Sequence, residues 1–353
     1  MVQIGYTITK EFMFVKHNYV SGTTKSLTIH FENVARTIVR NIDLSEDDYV
    51  LDIGGNDGTF LKYFKGQGIK VLNIDSGVKQ AELSNVAGIP CINDFFNRES
   101  SEKIQSDHGR AKVIHGSGIL FHLEELHSVF DGIKMLLSPE GTLVAEFIYL
   151  PDMIRNNAYD QIYHEHLLYY SLNSFSSLLR QHGLEIYDAE IFPIHGGSCV
   201  AYIGHCGEHE TTLRFNRLQE AEHAAGFGTP GVYREFAVRV ALLRDRLRGM
   251  IIDLVEQGNV IQALGAPVKG STIVNFCGFT RSEIECAVEI NDLKCDCYMP
   301  GTDIPVFHQD RVPQPDVYLL LSWNFKDEIL SKLTGFRESG GRVIIPIPEP
   351  VMI

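Results

Sequence analysis

From Val50 onward, short aliphatic and β-branched runs alternate with stretches whose apolar positions recur at helical spacing. This pattern predicts a doubly wound α/β domain built on a parallel sheet. Residues 50–53, 70–74, 111–114 and 141–147 read as buried strands, and 59–66, 78–87 and 123–137 as the helices between them. Segments 184–191 and 198–204 flank Pro193-Ile194-His195-Gly196-Gly197, whose glycines mark a hairpin-like turn. After Cys206 the pattern changes. Residues 208–231 are polar and broken by Gly226, Gly228, Pro230 and Gly231, so they read as a linker. A long helix follows, with Tyr233, Phe236, Val240, Leu243, Leu247, Met250, Ile251 and Leu254 on one stripe, which predicts core packing and a brace between two lobes. From Val260 a strand, a glycine loop and a helix open a second, smaller α/β sheet. Its further strands are expected at 285–290, 317–321 and 342–347, with a helix at 326–336. The expected organisation is a first domain over 1–206, a linker and bracing helix over 207–257, and a C-terminal lobe over 258–353.

Composition narrows the classes of function. A length of 353 residues fits roughly two domains. With 31 Lys and Arg against 45 Asp and Glu, the formal charge is −14, which argues against nucleic acid or an anionic membrane as the main partner. One small anion in a local basic pocket is still compatible with it. The N-terminus has no basic stretch followed by a long apolar run, so no secretory signal is expected, and no segment has the apolar length to span a bilayer. The seven cysteines are odd in number and scattered, the usage of a reduced, cytoplasmic protein. Cys295-Asp296-Cys297 is close-spaced but lacks a second pair to complete a four-thiolate zinc site.

Chemistry enters at Val50-Leu51-Asp52-Ile53-Gly54-Gly55-Asn56-Asp57-Gly58-Thr59, a strand that turns into a helix through glycines. The dinucleotide fingerprint fails, because its second and third glycines would fall on Asn56 and Thr59. The spacing of Asp52, Gly54 and Gly58 instead suits S-adenosylmethionine, which brings an ammonium and a sulfonium and no pyrophosphate. Asp75, at the end of the next strand, is placed to accept hydrogen bonds from ribose hydroxyls. Parallel strands closed by an antiparallel pair match the strand order of class I methyltransferases. In Tyr163-His164-Glu165-His166, the two His would project to one side of an extended segment. That spacing is open to a metal pair, a core histidine or acid–base chemistry, and the titration range of His beside a carboxylate favours the last. His122 and His195 lie near the carboxyl end of the sheet, where ligands bind in such folds. Lys269, at a helix N-terminus after Gly265-Ala266-Pro267, fits a phosphate site without being a Walker motif.

Six motifs in order give the chain a resemblance. They are Gly55-Asn56-Asp57-Gly58; Tyr163-His164-Glu165-His166; His195-Gly196-Gly197-Ser198; Gly265-Ala266-Pro267-Val268-Lys269-Gly270 with Asn275; Pro300-Gly301-Thr302-Asp303-Ile304-Pro305; and Trp323-Asn324-Phe325-Lys326-Asp327-Glu328. From about Asn18 to its end the chain resembles the nucleotide-sugar C-methyltransferases that build branched deoxysugars. The resemblance implies a class I methyltransferase Rossmann-like domain over 1–206, binding S-adenosylmethionine through Asp52, Gly54, Asn56, Gly58 and Asp75. It implies a smaller Rossmann-like lobe over 258–353 that binds the nucleotide sugar. The implied reaction places a methyl group on the carbon alpha to the ketone of a keto sugar, without a metal. His166 would be the general base, with Tyr163 and Glu165 beside it and His122 near the keto oxygen, where it or Tyr163 steadies the enolate. Tyr19 matches an active-site Tyr of the family, while His195, Lys269 and Asn324 fall to the substrate.

Two departures stand out. The family's N-terminal four-cysteine zinc domain is expected to be absent, since no cysteine precedes Cys91. Gly118-Ile119-Leu120-Phe121-His122 replaces a family stretch that carries an Asn, so a contact made by that Asn is lost. The alternatives are an O- or N-methyltransferase of another small metabolite, or a binding protein that has lost turnover. A cytoplasmic monomer or small homo-oligomer is expected.

Overall fold

The apolar runs of the first half form a seven-stranded sheet. Its strands are β1 (Tyr49–Ile53), β2 (Lys70–Ile74), β3 (Cys91–Ile92), β4 (Ala111–Ser117), β5 (Leu137–Ile148), β6 (Leu184–Phe192) and β7 (Ser198–His205). They lie in the order β3-β2-β1-β4-β5-β7-β6. The first five are parallel, and β7 runs antiparallel between β5 and β6. Every position of β1 is buried, as expected of a central parallel strand covered on both faces. The helix Lys25–Asn41 sets Leu27, Phe31, Val34, Ala35 and Ile38 in one core with Val50, Val113, Val144 and Val200. This architecture comes from a computed structural model that describes residues 5, 7–17, 19–23 and 25–353; the side chain of His195 lies outside the described residues.

The chain divides into two units, residues 1–150 with 164–228, and residues 151–163 with 229–353. The second contains β8 (Ile261–Leu264), β9 (Cys286–Glu289), β10 (Cys297–Tyr298), β11 (Pro305–His308), β12 (Val317–Leu320), β13 (Arg342–Ile345) and β14 (Val351–Met352). These form a second sheet in the order β10-β11-β9-β8-β12-β13-β14, parallel except at its two edge pairs. The long helix runs over Pro230–Glu256 and groups with this unit. Of its predicted stripe, Phe236, Val240, Leu247, Ile251 and Leu254 are buried, and Tyr233, Leu243 and Met250 are half-buried.

Several expectations need correction. Residues 208–231 are not a continuous linker, because Leu213–Ala224 is a helix. Thr212 starts it, its hydroxyl accepting from Phe215 N at 3.2 Å. Inside the first unit, Glu222 then turns its buried carboxylate onto the free N–H groups of Leu172 and Asn173, at 2.6 and 3.1 Å. The helix expected over 123–137 begins at Leu126, which leaves a loop after β4. The helix expected over 326–336 is two, Lys326–Lys332 and Thr334–Glu338, broken at Leu333.

Candidate active site

Parallel strands deliver their carboxyl ends to one edge of the sheet, and the candidate residues of the first unit gather there. The loop after β1 turns through Gly54 at φ +66° and Gly58 at +73°, with Asn56 between them at +54°. A side chain at Gly54 would be strained by its backbone and would meet Ile119 at 3.1 Å. Asn73, fully buried on β2, braces the loop: its Oδ1 accepts from Gly55 N at 3.1 Å and its Nδ2 donates to Asn56 O at 2.9 Å. Asp75 accepts from Asn56 N and Gly77 N, both at 2.8 Å. Burial raises its pKa, and those two N–H groups work against the rise. Each carboxylate oxygen retains capacity to accept a hydroxyl donor, so Asp75 fits a ribose. Above the loop, Tyr19 O accepts from Asn56 Nδ2 at 3.2 Å and from Gln80 Nε2 at 2.8 Å, and Tyr19 as a whole is exposed.

Two buried networks beneath this edge were not legible in the sequence. On β4, in register with Asp52, His115 places Nδ1 2.7 Å from Asp52 Oδ1 and stacks on Phe60, ring centres 3.6 Å apart. Asp52 is therefore buried and committed through one oxygen to His115. Next to it, Glu146 of β5 receives His30 Nε2 on both oxygens at 3.0 Å and the Ser117 hydroxyl at 3.0 Å. Gly118 N donates to Glu146 O at 3.0 Å, so the same residue anchors the loop that leads to His122. A His within an apolar strand is the sole sequence signal for His115, and strand pairing is needed to find its partner.

The loop after β4 brings His122 beside His166, with ring centres 5.0 Å apart. Backbone bonds hold the two segments together. Phe121 O accepts from Leu167 N at 2.9 Å and Leu168 N at 3.3 Å, and Tyr170 Oη donates to Leu120 O at 3.1 Å. His122 Nδ1 lies 2.6 Å from Glu165 O. Phe14 and Phe121 also pack on the His122 ring, and burial pushes its pKa down to about 4. His166 is 4% exposed, against Phe121 and Tyr169. Glu165 is half-buried, and burial raises its pKa. The segment 163–166 is a turn and not extended, with His164 exposed and His166 buried, so the two His do not share a side. Tyr163 is half-buried and belongs to the second unit. His195 falls in the turn Ile194–Gly196, and its side chain is outside the described residues. Among the described residues, no three His, Cys, Asp or Glu side chains gather as a metal site.

In the second unit, two expected residues meet. Lys269, in the first turn of the helix Val268–Cys277, places Nζ 2.6 Å from Asn324 Oδ1 and 3.7 Å from Asp160 Oδ2. The ammonium lies 4.8 Å from the Trp323 ring centre, and Trp323 Nε1 donates to Asp160 Oδ2 at 2.6 Å. Burial lowers the Lys269 pKa and raises that of Asp160, each opposed by the attraction between them. Asp160 was not singled out in the sequence, and Trp323 entered only as part of the motif at 323–328.

The strand order and the glycine loop after β1 define a class I, S-adenosylmethionine-dependent methyltransferase. A methyltransferase-domain profile matches residues 28–189, and the profile of the C-methyltransferase C-terminal domain matches 193–348. The C-methyltransferase NovU of Streptomyces niveus is 32% identical over 356 aligned residues, covering 100% of this chain and 85% of the relative. The chain belongs to the C-methyltransferase family. Among solved structures, a methyltransferase of Anabaena variabilis is similar at 16% identity and a TM-score of 0.40, over 49% of this chain and 84% of that one. Magnesium protoporphyrin IX methyltransferase of Synechocystis, with bound S-adenosylhomocysteine, is similar at 12% identity and 0.40, over 50% and 82%.

Proposed function

We propose that this C-methyltransferase acts on a keto deoxysugar carried by a nucleoside diphosphate, at the carbon next to the ketone. The observation that carries the reading is the His122–His166 pair, with ring centres 5.0 Å apart at the carboxyl edge of the sheet. Carbon is a poor nucleophile until the proton alpha to a carbonyl is removed. His166 takes that proton, and its packing against Phe121 and Tyr169 restricts the ring to one orientation. The resulting enolate oxygen needs a donor, a role that the family resemblance alone gives to Tyr163. S-adenosylmethionine supplies an electrophilic methyl group. Asp75 receives the ribose hydroxyls of that cofactor, while Gly54, Asn56 and Gly58 shape the loop beside it and Asp52 lies buried in the strand before it. Tyr19 and His195 stay assigned to the site on the family resemblance alone. Lys269 and Asn324, which meet at 2.6 Å beside Asp160, serve the nucleotide part of the substrate. The seven unpaired cysteines support a reducing, cytoplasmic setting. The test supplies a ¹³C-labelled methyl donor with nucleoside-diphosphate keto sugars and follows the label by NMR. The label is expected on a sugar carbon, and a label on oxygen or nitrogen overturns the reading.

A further inference from the structure

We infer that His122 reads the substrate as a hydrogen-bond acceptor, through Nε2, and so selects a keto sugar that keeps a hydroxyl beside the ketone. The inference rests on the C-methylation reading and revises the role of His122, which the family resemblance sets near the keto oxygen as an enolate-steadying group.

The argument starts from the ring's other nitrogen. A backbone carbonyl only accepts, so Nδ1, at 2.6 Å from Glu165 O, must carry the proton. A neutral imidazole with its proton on Nδ1 has a lone pair on Nε2. His122 is half-buried and not sealed in the core, so an incoming group can approach the ring. Protonation of Nε2 would make an imidazolium, and the packing of Phe14, Phe121 and His166 disfavours that charge, holding the pKa down to about 4. The acid in the vicinity, Glu165, is itself pushed toward its neutral form by burial, so it does little to restore the imidazolium.

At neutral pH, a lone pair on Nε2 repels an enolate oxygen and attracts an O–H. The ring centres of His122 and His166 are 5.0 Å apart, and the bond from Leu167 N to Phe121 O at 2.9 Å ties their two segments together. A substrate whose alpha carbon faces His166 therefore presents a neighbouring ring position to His122. In a keto sugar the hydrogen-bearing group available at such a position is a hydroxyl. No covalent step is assigned to His122, and no proton is transferred to it.

Two measurements test this. The first uses the full chain labelled with ¹⁵N-histidine, with His122 assigned by the His122→Asn variant. A protonated Nδ1 and an unprotonated Nε2 are expected between pH 6 and 8; a proton on Nε2 overturns the inference. The second compares two nucleoside-diphosphate keto sugars that differ in one hydroxyl next to the ketone. The wild type is expected to favour the hydroxylated sugar by about tenfold in kcat/KM, the scale of one neutral hydrogen bond. His122→Asn keeps an N–H for Glu165 and deletes Nε2, so the preference should collapse to within about twofold. A variant that keeps the preference, or that loses kcat equally on both sugars, overturns it. S-adenosylhomocysteine binding by the variant reports that the fold is intact. If the wild type methylates oxygen instead, the C-methylation reading fails, and the nitrogen spectra still decide the acceptor assignment.

Discussion

Asp52 lies in β1 and Asp75 just after β2, and their carboxylates are committed differently. Asp52 holds His115 at 2.7 Å, whereas the Asp75 carboxylate accepts the backbone N–H groups of Asn56 and Gly77 at 2.8 Å and has capacity for hydroxyls as well. Both acids were legible from the strand-to-loop pattern. Their difference was not, because it depends on His115, which is 63 residues from Asp52 in sequence. Gly55 shows how tightly the loop is packed: a Cβ there would fall 2.4 Å from Asn73 Oδ1 and 2.5 Å from Asp52 Oδ2. Gly55→Ala must shift the loop, at a cost of about 1–3 kcal/mol, and should weaken S-adenosylhomocysteine by about tenfold or more in calorimetry. An unchanged affinity would mean that the loop absorbs the methyl group without moving. For His166→Ala, turnover should fall by about 100-fold or more with cofactor affinity unchanged, as expected for loss of a general base. Equal loss of cofactor affinity, read in the same titration, would make His166 a packing residue.

The helix Leu213–Ala224 is the element that hydropathy hid. Its hydrophobic residues are few, with Phe215 buried and Leu213 exposed, so no apolar stripe marks it. Polar contacts hold it instead. Arg214 pairs with Asp188 and Glu190 on β6, Thr212 Oγ1 donates to Asp188 at 2.6 Å, and Glu222 caps the helix Leu172–Gln181. Replacing Glu222 by Ala strands two helix-terminal N–H groups in the interior and should cost on the order of 3 kcal/mol in urea unfolding. Asp188 carries the acid sensitivity of the element. Burial pushes its pKa up, but the hydrogen bonds from Arg214 and Thr212 outweigh that and hold it below the usual 3.8. A depressed carboxyl stabilises the fold above the unfolded value and stops doing so as pH falls through the folded one. Asp188→Asn should therefore lower the urea midpoint at pH 7, and the gap to wild type should close only below about pH 3.8. A gap that is constant down to pH 2 would show that the charge plays no part.

At the scale of the whole chain, the charge of −14 and an isoelectric point near 5.4 set colloidal behaviour and not fold. Solubility should pass through a minimum near pH 5.4, measured by turbidity at low salt, and salt should flatten it. Among the described residues no helix is long and apolar enough to cross a membrane. The alternation of strands and helices, the glycine loop after β1 and the acid after β2 all followed from local pattern, because a parallel strand buried on both faces must be continuously apolar and a tight turn must be glycine-rich. Local pattern could not choose partners across the sheet. His115 with Asp52, His30 with Glu146, and His122 with Glu165 are each made by residues between 43 and 116 positions apart. The sequence by itself determined which chemical groups are present and which strand ends carry them. Tertiary structure decided which oxygen and which ring nitrogen stay open, since that depends on the hydrogen bonds already made by neighbours brought in from distant strands and loops.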